Sequence, residues 1–213
     1  MKISRLTRLV VLLAALCCVG NLCGEEILGL FENHGEVGKP GKAGSIAFDA
    51  VTQVYLVAGG GLNMWGTNDD FHFVWKRLSG DCSLAADIEM LGAGGDAHRK
   101  ACLVVRQNLS SASAYVDVAV HGNGLIALQW REHAGGLTRG TQAKLTGPAR
   151  VGLERRGEEL FMTVASKGGR LEKSEASTQV KLVDPVYVGL AVCAHNDKAL
   201  EKARFSRVEL KPK

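Results

Sequence analysis

Apolar residues recur at every second position through most of this chain, and nowhere is that alternation replaced by a sustained helical period. Between Asp70 and Lys76 the side chains of Phe71, Phe73 and Trp75 fall on one face, and those of Asp70, His72, Val74 and Lys76 fall on the other. That is the period of a strand, with the aromatic face read as core and the opposite face as partly wet. The same reasoning predicts strands over 45–48, 53–57, 71–77, 83–90, 101–107, 114–121, 125–131, 149–155, 159–166, 177–183, 186–195 and 203–210. They are rich in valine, isoleucine, tyrosine and phenylalanine, and glycine, asparagine and aspartate punctuate them. Turns are expected at 78–81, 92–96, 122–124, 135–136 and 167–169, where glycine supplies the positive φ of tight connections. So many short strands in one unit are most economically buried as two packed antiparallel sheets, an all-β sandwich. No linker or repeat divides the chain. The expected organisation is a leader over 1–24, an N-terminal arm of little structure over 25–43, and one β-sandwich domain over 44–213.

The leader changes the charge and cysteine arithmetic. Lys2, Arg5 and Arg8 precede the apolar run Leu9–Val19, and short residues follow up to Gly24, which is the pattern of a signal peptide. The expected location is therefore secreted, in the periplasm. The apolar run is short for a bilayer span, which needs roughly 20 residues, and no later run approaches that length. An uncleaved anchor and a lipid-modified cysteine are the competing readings. Neither Cys17 nor Cys23 is preceded by the residues usual at a lipidation site. Cleavage after Gly24 lowers the formal charge from +4 to +1. With the remaining basic residues scattered, nucleic acid is not an expected partner. Cys82, Cys102 and Cys193 remain, an odd number. One disulfide, with Cys102 and Cys193 as the preferred pair, stands beside the alternative of three small buried thiols. Their spacing contains no close pair of the kind that binds zinc.

Candidate chemistry is sparse. Trp65 lies in a glycine-bounded loop, where an aromatic face can stack on a sugar ring or anchor the loop. Trp130 stands near a strand end. The cluster 68–70 offers oxygens for hydroxyls or a calcium ion, and a solvated turn cap is the plainer expectation for Asp69. Arg106 shares a strand face with Cys102 and Val104, so its guanidinium can clamp a ligand or form a fixed ion pair within the sheet. By the same parity Tyr115, Asp117, Ala119 and His121 lie together, as do Tyr187, Gly189, Ala191, Cys193 and His195. Glycoside cleavage needs two opposed carboxyl groups. Asp117 is isolated, Glu154 adjoins two arginines, and Glu158 and Glu159 occupy a turn. No nucleophile elbow accompanies His72, His121 or His195. No catalytic residue and no metal ligand is therefore assigned.

Three ordered stretches carry a resemblance. They are GSIAFDAVTQVYLVAGGGLNMWGTNDDFHFVWKRLSGD, then DAHRKACLVVRQNLSSASAYVDVAVHGNGLIALQWRE, and last VYVGLAVCAHN with ARFSRVEL. Over about 29–210 the chain resembles a secreted bacterial domain of unknown function, the DUF1349-like group of the concanavalin A-like lectin/glucanase superfamily. The resemblance implies a curved jelly-roll sandwich whose concave sheet contacts sugars or other extended ligands. It selects Trp65, Asp70, His72, Arg99, Lys100, Arg106, His121 and His195 among its motif positions. Asn123 replaces the aspartate common in the HGDG turn, which weakens calcium binding there. The expected ligand contacts are then Trp65, Asp70, His72, Arg106, His121, Trp130 and His195. The expected function is noncatalytic binding of a polysaccharide or other extended ligand, without a cofactor. A glycan-processing enzyme and a protein-interaction module are the alternatives.

Overall fold

The computed structural model describes residues 27–166 and 169–213. The expected signal peptide and its cleavage point lie outside them. Sixteen strands follow in chain order: β1 (Asn33–Val37), β2 (Ser45–Asp49), β3 (Val54–Gly59), β4 (Met64–Trp65), β5 (Asn68–Asp69), β6 (Phe71–Leu78), β7 (Cys82–Leu91), β8 (Lys100–Arg106), β9 (Tyr115–His121), β10 (Leu125–Arg131), β11 (Arg139–Thr146), β12 (Ala149–Arg156), β13 (Glu159–Ser166), β14 (Glu172–Gln179), β15 (Val186–Cys193) and β16 (Glu201–Pro212). The first sheet runs β1-β6-β15-β8-β9-β10-β11 and the second β14-β13-β12-β7-β16-β3-β2, with β4 and β5 forming a small separate hairpin. The fold is the expected all-β sandwich of two antiparallel sheets. Among the described residues no helix is long and apolar enough to cross a membrane.

Side-chain parity in the first sheet decides everything that follows. Leu190 on β15 stands opposite Val74 on β6 and Leu103 on β8, and this row faces the second sheet. Val105, Val118, Ile126 and Leu128 extend it, meeting Leu84, Ile88, Val151, Leu153, Met162 and Phe205 from the second sheet. One residue along, Ala191 stands opposite Phe73 and Cys102, Cys102 opposite Ala119, and Ala119 opposite Ala127. This row faces away from the sandwich. The aromatic face of β6 is therefore buried, but not in the core between the sheets. Phe71 and Phe73 form a second apolar cluster on the outer face, with Met64, Cys102, Val104, Ala119 and Cys193. The opposite face of β6 is not wet either, for Val74 enters the main core and His72 is fully covered.

Besides the short β4–β5 hairpin, two strands fall where the pattern predicted none. β1 lies in the stretch expected to be an unstructured arm, and it pairs with β6 from Asn33↔Trp75 to Val37↔Phe71. β11 carries RGTQAKLT along the far edge of the same sheet and is largely exposed. An edge strand with one neighbour and little core contact needs no alternation of apolar residues, so its sequence reads as loop. The expected strand over 177–183 is displaced to Glu172–Gln179, a second polar edge.

Candidate functional site

The outer face of the first sheet is partly roofed by the β4–β5 hairpin. Its loop is two residues, Gly66 and Thr67, and Gly66 has φ 67° while Thr67 keeps a negative φ. That is the arrangement of a II′ turn, whose first position accepts glycine readily and other residues poorly. Alternation across this short hairpin sends Met64 down and Trp65 outward. Met64 is fully buried, with its sulfur 3.9 Å from Cys102 Sγ, and its carbonyl accepts the Tyr115 hydroxyl at 3.2 Å. Asp69 anchors the other strand: Arg131 donates from Nη2 to Oδ1 at 2.7 Å and from Nη1 to Oδ2 at 2.8 Å. The turn itself is held through the Gly66 carbonyl, which accepts the Thr138 N–H at 2.9 Å and its hydroxyl at 3.1 Å. Asp69 is thus a buried ion-pair partner, not the solvated turn cap that the sequence suggested.

Beside the hairpin opens a cleft of about 320 Å³. Its floor is Ala127, where the row of small residues on the outer face leaves room. One wall is Trp65, 43% exposed and lying against Gly140, at which a side chain would meet the indole ring. Polar groups converge on the rest. Lys100 Nζ donates to Asn63 Oδ1 at 3.2 Å, and Asn63 Nδ2 lies 3.1 Å from His195 Nε2. The His98 ring stands 5.6 Å from that of His195 and 6.1 Å from that of His121. His195 Nδ1 is 3.3 Å from Asp96 Oδ1. Gln129, only 5% exposed, lines the cleft, and its Oε1 has no hydrogen-bond partner.

Electrostatics sharpen this picture. His121 Nδ1 is 3.1 Å from the Leu125 carbonyl, which can only accept, so this nitrogen carries the proton and Nε2 is left as an acceptor. Burial, reinforced by the Lys100 charge, pushes the His121 imidazole down to about 4, and it is neutral at pH 7. Asp117 lies on the same sheet face, opposite Gln129, fully buried and with both oxygens unpartnered. Burial raises its carboxyl well above the usual carboxylate range. No aspartate or glutamate lines the cleft. What the arrangement can do is stack a ring on Trp65 and exchange hydrogen bonds with its hydroxyls. It lacks the opposed carboxyl pair of a glycoside hydrolase.

Of the seven expected ligand contacts, the cleft gathers Trp65, His121 and His195. The other four lie elsewhere. Arg106 is completely buried under the following loop, donating to the carbonyls of Asn108 at 2.7 Å and Ser110 at 2.6 Å, and it stands 3.6 Å from Asp69. Asp70 accepts the Lys39 N–H at 2.8 Å on the far side of the hairpin. His72 is on the opposite sheet face, 2.7 Å from Glu36 Oε1 and 3.1 Å from His34. Trp130 packs against the core between the sheets. The oxygens suggested for calcium do not converge, since both from Asp69 are taken by Arg131. Among the described residues no cluster of three metal-ligating side chains occurs.

The expected Cys102–Cys193 disulfide is not formed, and Cys82, Cys102 and Cys193 are all buried free thiols. Cys102 stands opposite Ala191, while Cys193 stands opposite Lys100. The two are therefore diagonal neighbours, a spacing of roughly 7–8 Å that exceeds what a disulfide bridges.

Lys100, Gln129, Asn63 and His98 were not read as contacts. For the first two a signal existed, because Lys100 shares parity with Cys102 and Arg106, and Gln129 shares parity with Arg131. Asn63 and His98 belong to loops whose course no periodicity specifies.

No protein-family model matches the chain, and no curated protein matches it. Solved structures do. A functionally unknown protein from Saccharomyces cerevisiae superposes with a TM-score of 0.63 at 13% identity, covering 84% of this chain and 96% of that one. The carbohydrate-binding module CBM66 from Bacillus subtilis gives 0.55 at 14% identity, with 86% and 98% covered. A prokaryotic β-1,3-1,4-glucanase (lichenase) from a mouse hindgut metagenome gives 0.51 at 7% identity, with 79% and 83% covered. At such identities the likeness speaks for the fold: the chain is a jelly-roll sandwich of two antiparallel sheets.

Proposed function

We propose that this chain is a noncatalytic glycan-binding module that takes a sugar ring into the cleft beside the β4–β5 hairpin. The observation that carries this reading is the pairing of a half-exposed Trp65 ring with the unpartnered Oε1 of buried Gln129 in one cleft of about 320 Å³. An apolar sugar face matches the first, and a hydroxyl donor matches the second. Cavities of this size are typical of small-ligand sites. The module CBM66 spans nearly the same length of fold, which supports a binding role. The absence of any acid from the cleft lining speaks against hydrolysis there, although the lichenase shares the fold. The leader over 1–24 supports export and cleavage near Gly24, so that the module meets its glycan outside the cytoplasm.

Titration calorimetry against a broad panel of soluble oligosaccharides tests the reading. Binding in the micromolar to millimolar range is expected, with no release of shorter products. Trp65→Ala should weaken it about fivefold, as expected for loss of an aromatic platform worth about 1 kcal/mol. Absence of binding across the panel moves the assignment to a protein partner, and product formation overturns the noncatalytic reading.

A further inference from the structure

Among the described residues six lysine and arginine side chains are buried, and five of them face a carboxylate. Arg99 lies 3.6 Å from Glu201, Arg106 and Arg131 share Asp69, Arg150 pairs with Glu209 at 2.6 Å, and Arg155 pairs with Asp184. Lys100 is the exception. It is 2% exposed, and its ammonium meets only neutral oxygens: Asn63 Oδ1 at 3.2 Å and the Met64 carbonyl at 3.5 Å. An ammonium has three N–H donors, so one remains to be used. Asp117 is near enough for its carboxyl to respond to the Lys100 charge, yet neither of its oxygens has a hydrogen-bond partner. Asp96, beyond the histidines, is occupied by His195 and by the His98 N–H.

Burying an ammonium without a counter-charge forfeits much of its hydration, and natural folds seldom tolerate it without a compensating role. Here the unmatched charge sits in the wall of the cleft, which no acid lines and to which His98, His121 and His195 add hydrogen-bonding nitrogens. Resting on the glycan-binding reading, we infer that the ligand is an acidic sugar, whose anionic group meets Lys100 while its ring stacks on Trp65 and a hydroxyl donates to Gln129 Oε1. The anionic group is a uronate carboxylate or a sulfate ester; either supplies the missing counter-charge, and the two are separated by experiment.

The test compares ligands that differ only in charge. Oligouronates of the gluco, galacto and manno series are titrated beside their methyl esters, and sulfated galactan oligosaccharides beside their desulfated forms. The acidic member of one series should bind at least tenfold tighter than its neutral counterpart, and that preference should shrink as salt is raised. Lys100→Gln should reduce the preference to within about twofold. If that variant does not fold, the wild-type preference and its salt dependence decide the matter alone. Neutral oligosaccharides binding as well as or better than every charged counterpart would overturn the inference and leave the glycan-binding reading standing. No binding by any ligand, neutral or acidic, overturns both.

Discussion

Arg131 and Asp69 meet as a two-point ion pair 62 residues apart in sequence, with bonds of 2.7 and 2.8 Å and no exposed surface on either side chain. Arg131 belongs to the sheet and Asp69 to the hairpin, so this fork decides where the hairpin sits and thereby where Trp65 stands. Its planar donors match a carboxylate in a way that lysine cannot. Arg131 also stacks over Tyr115, 5.0 Å from the ring centroid, which fixes the guanidinium from below.

Removing one partner should therefore cost much more than removing both. Asp69→Ala is expected to destabilise the domain by about 3–5 kcal/mol, because it leaves a buried guanidinium without its counter-charge. The double variant Asp69→Leu with Arg131→Met should lose less than the single one. Urea unfolding of the three proteins measures this, and a single-variant loss below about 1 kcal/mol would show that the fork does not hold the hairpin.

The outer apolar cluster should behave as a true core. Phe73 is fully buried between Phe71 and Trp75, with ring centroids at 5.8 Å from Phe71 to Phe73 and 5.5 Å from Phe73 to Trp75. Phe73→Ala is expected to cost about 3–5 kcal/mol through lost burial and the cavity left behind. The readout is equilibrium denaturant unfolding; a near-neutral effect would mean that the hairpin does not seal this cluster.

Stability should fall on acidification through His121. In the unfolded chain its imidazole titrates near 6.5, and in the fold near 4, so between these values the unfolded state holds the extra proton. The contribution is fully present above pH 6.5 and is lost as pH falls towards 4, amounting to about 3 kcal/mol at most. Asp117 acts in the opposite sense, because its raised carboxyl keeps a proton that the unfolded chain releases. The comparison of wild type with His121→Asn isolates the histidine, since Asp117 is common to both. The variant should lose less stability between pH 7 and pH 4.5; equal losses would contradict the assignment.

The three thiols should be inert in the native state. Burial pushes Cys82 and Cys193 up to about 11 and raises Cys102 as well, so little thiolate exists at pH 8. Cys82, Cys102 and Cys193 are expected to resist an aromatic disulfide reagent until denaturant is added, and then to react as three. Peptide mapping of nonreduced protein would reveal a Cys102–Cys193 linkage if one formed.

The sequence by itself determined the class of fold and much of its strand content. Period-two burial is a local property, and eleven of the strands stand close to where alternation and turn residues put them, with 125–131 and 159–166 matching end to end. Parity along a strand also placed Tyr115, Asp117 and His121 together on one face of β9, and Cys102 and Arg106 together on one face of β8. What it could not show is which of two apolar faces meets the other sheet. On β6 the aromatic face is the more apolar in sequence, and only the packing of the sheets assigns Val74 to the interior and Phe73 to the outside. Polar edge strands such as β11 escaped notice because a strand with one hydrogen-bonded neighbour needs no apolar signature. The cleft was decided by tertiary structure alone. The Asp69–Arg131 fork and the buried charge of Lys100 join residues distant in sequence, and the free energy of a charge depends on what surrounds it in space. Whether Arg106 reaches a ligand or is sealed beneath a loop, and whether Asp69 caps a turn or anchors a hairpin, follows from that three-dimensional environment and not from residue type.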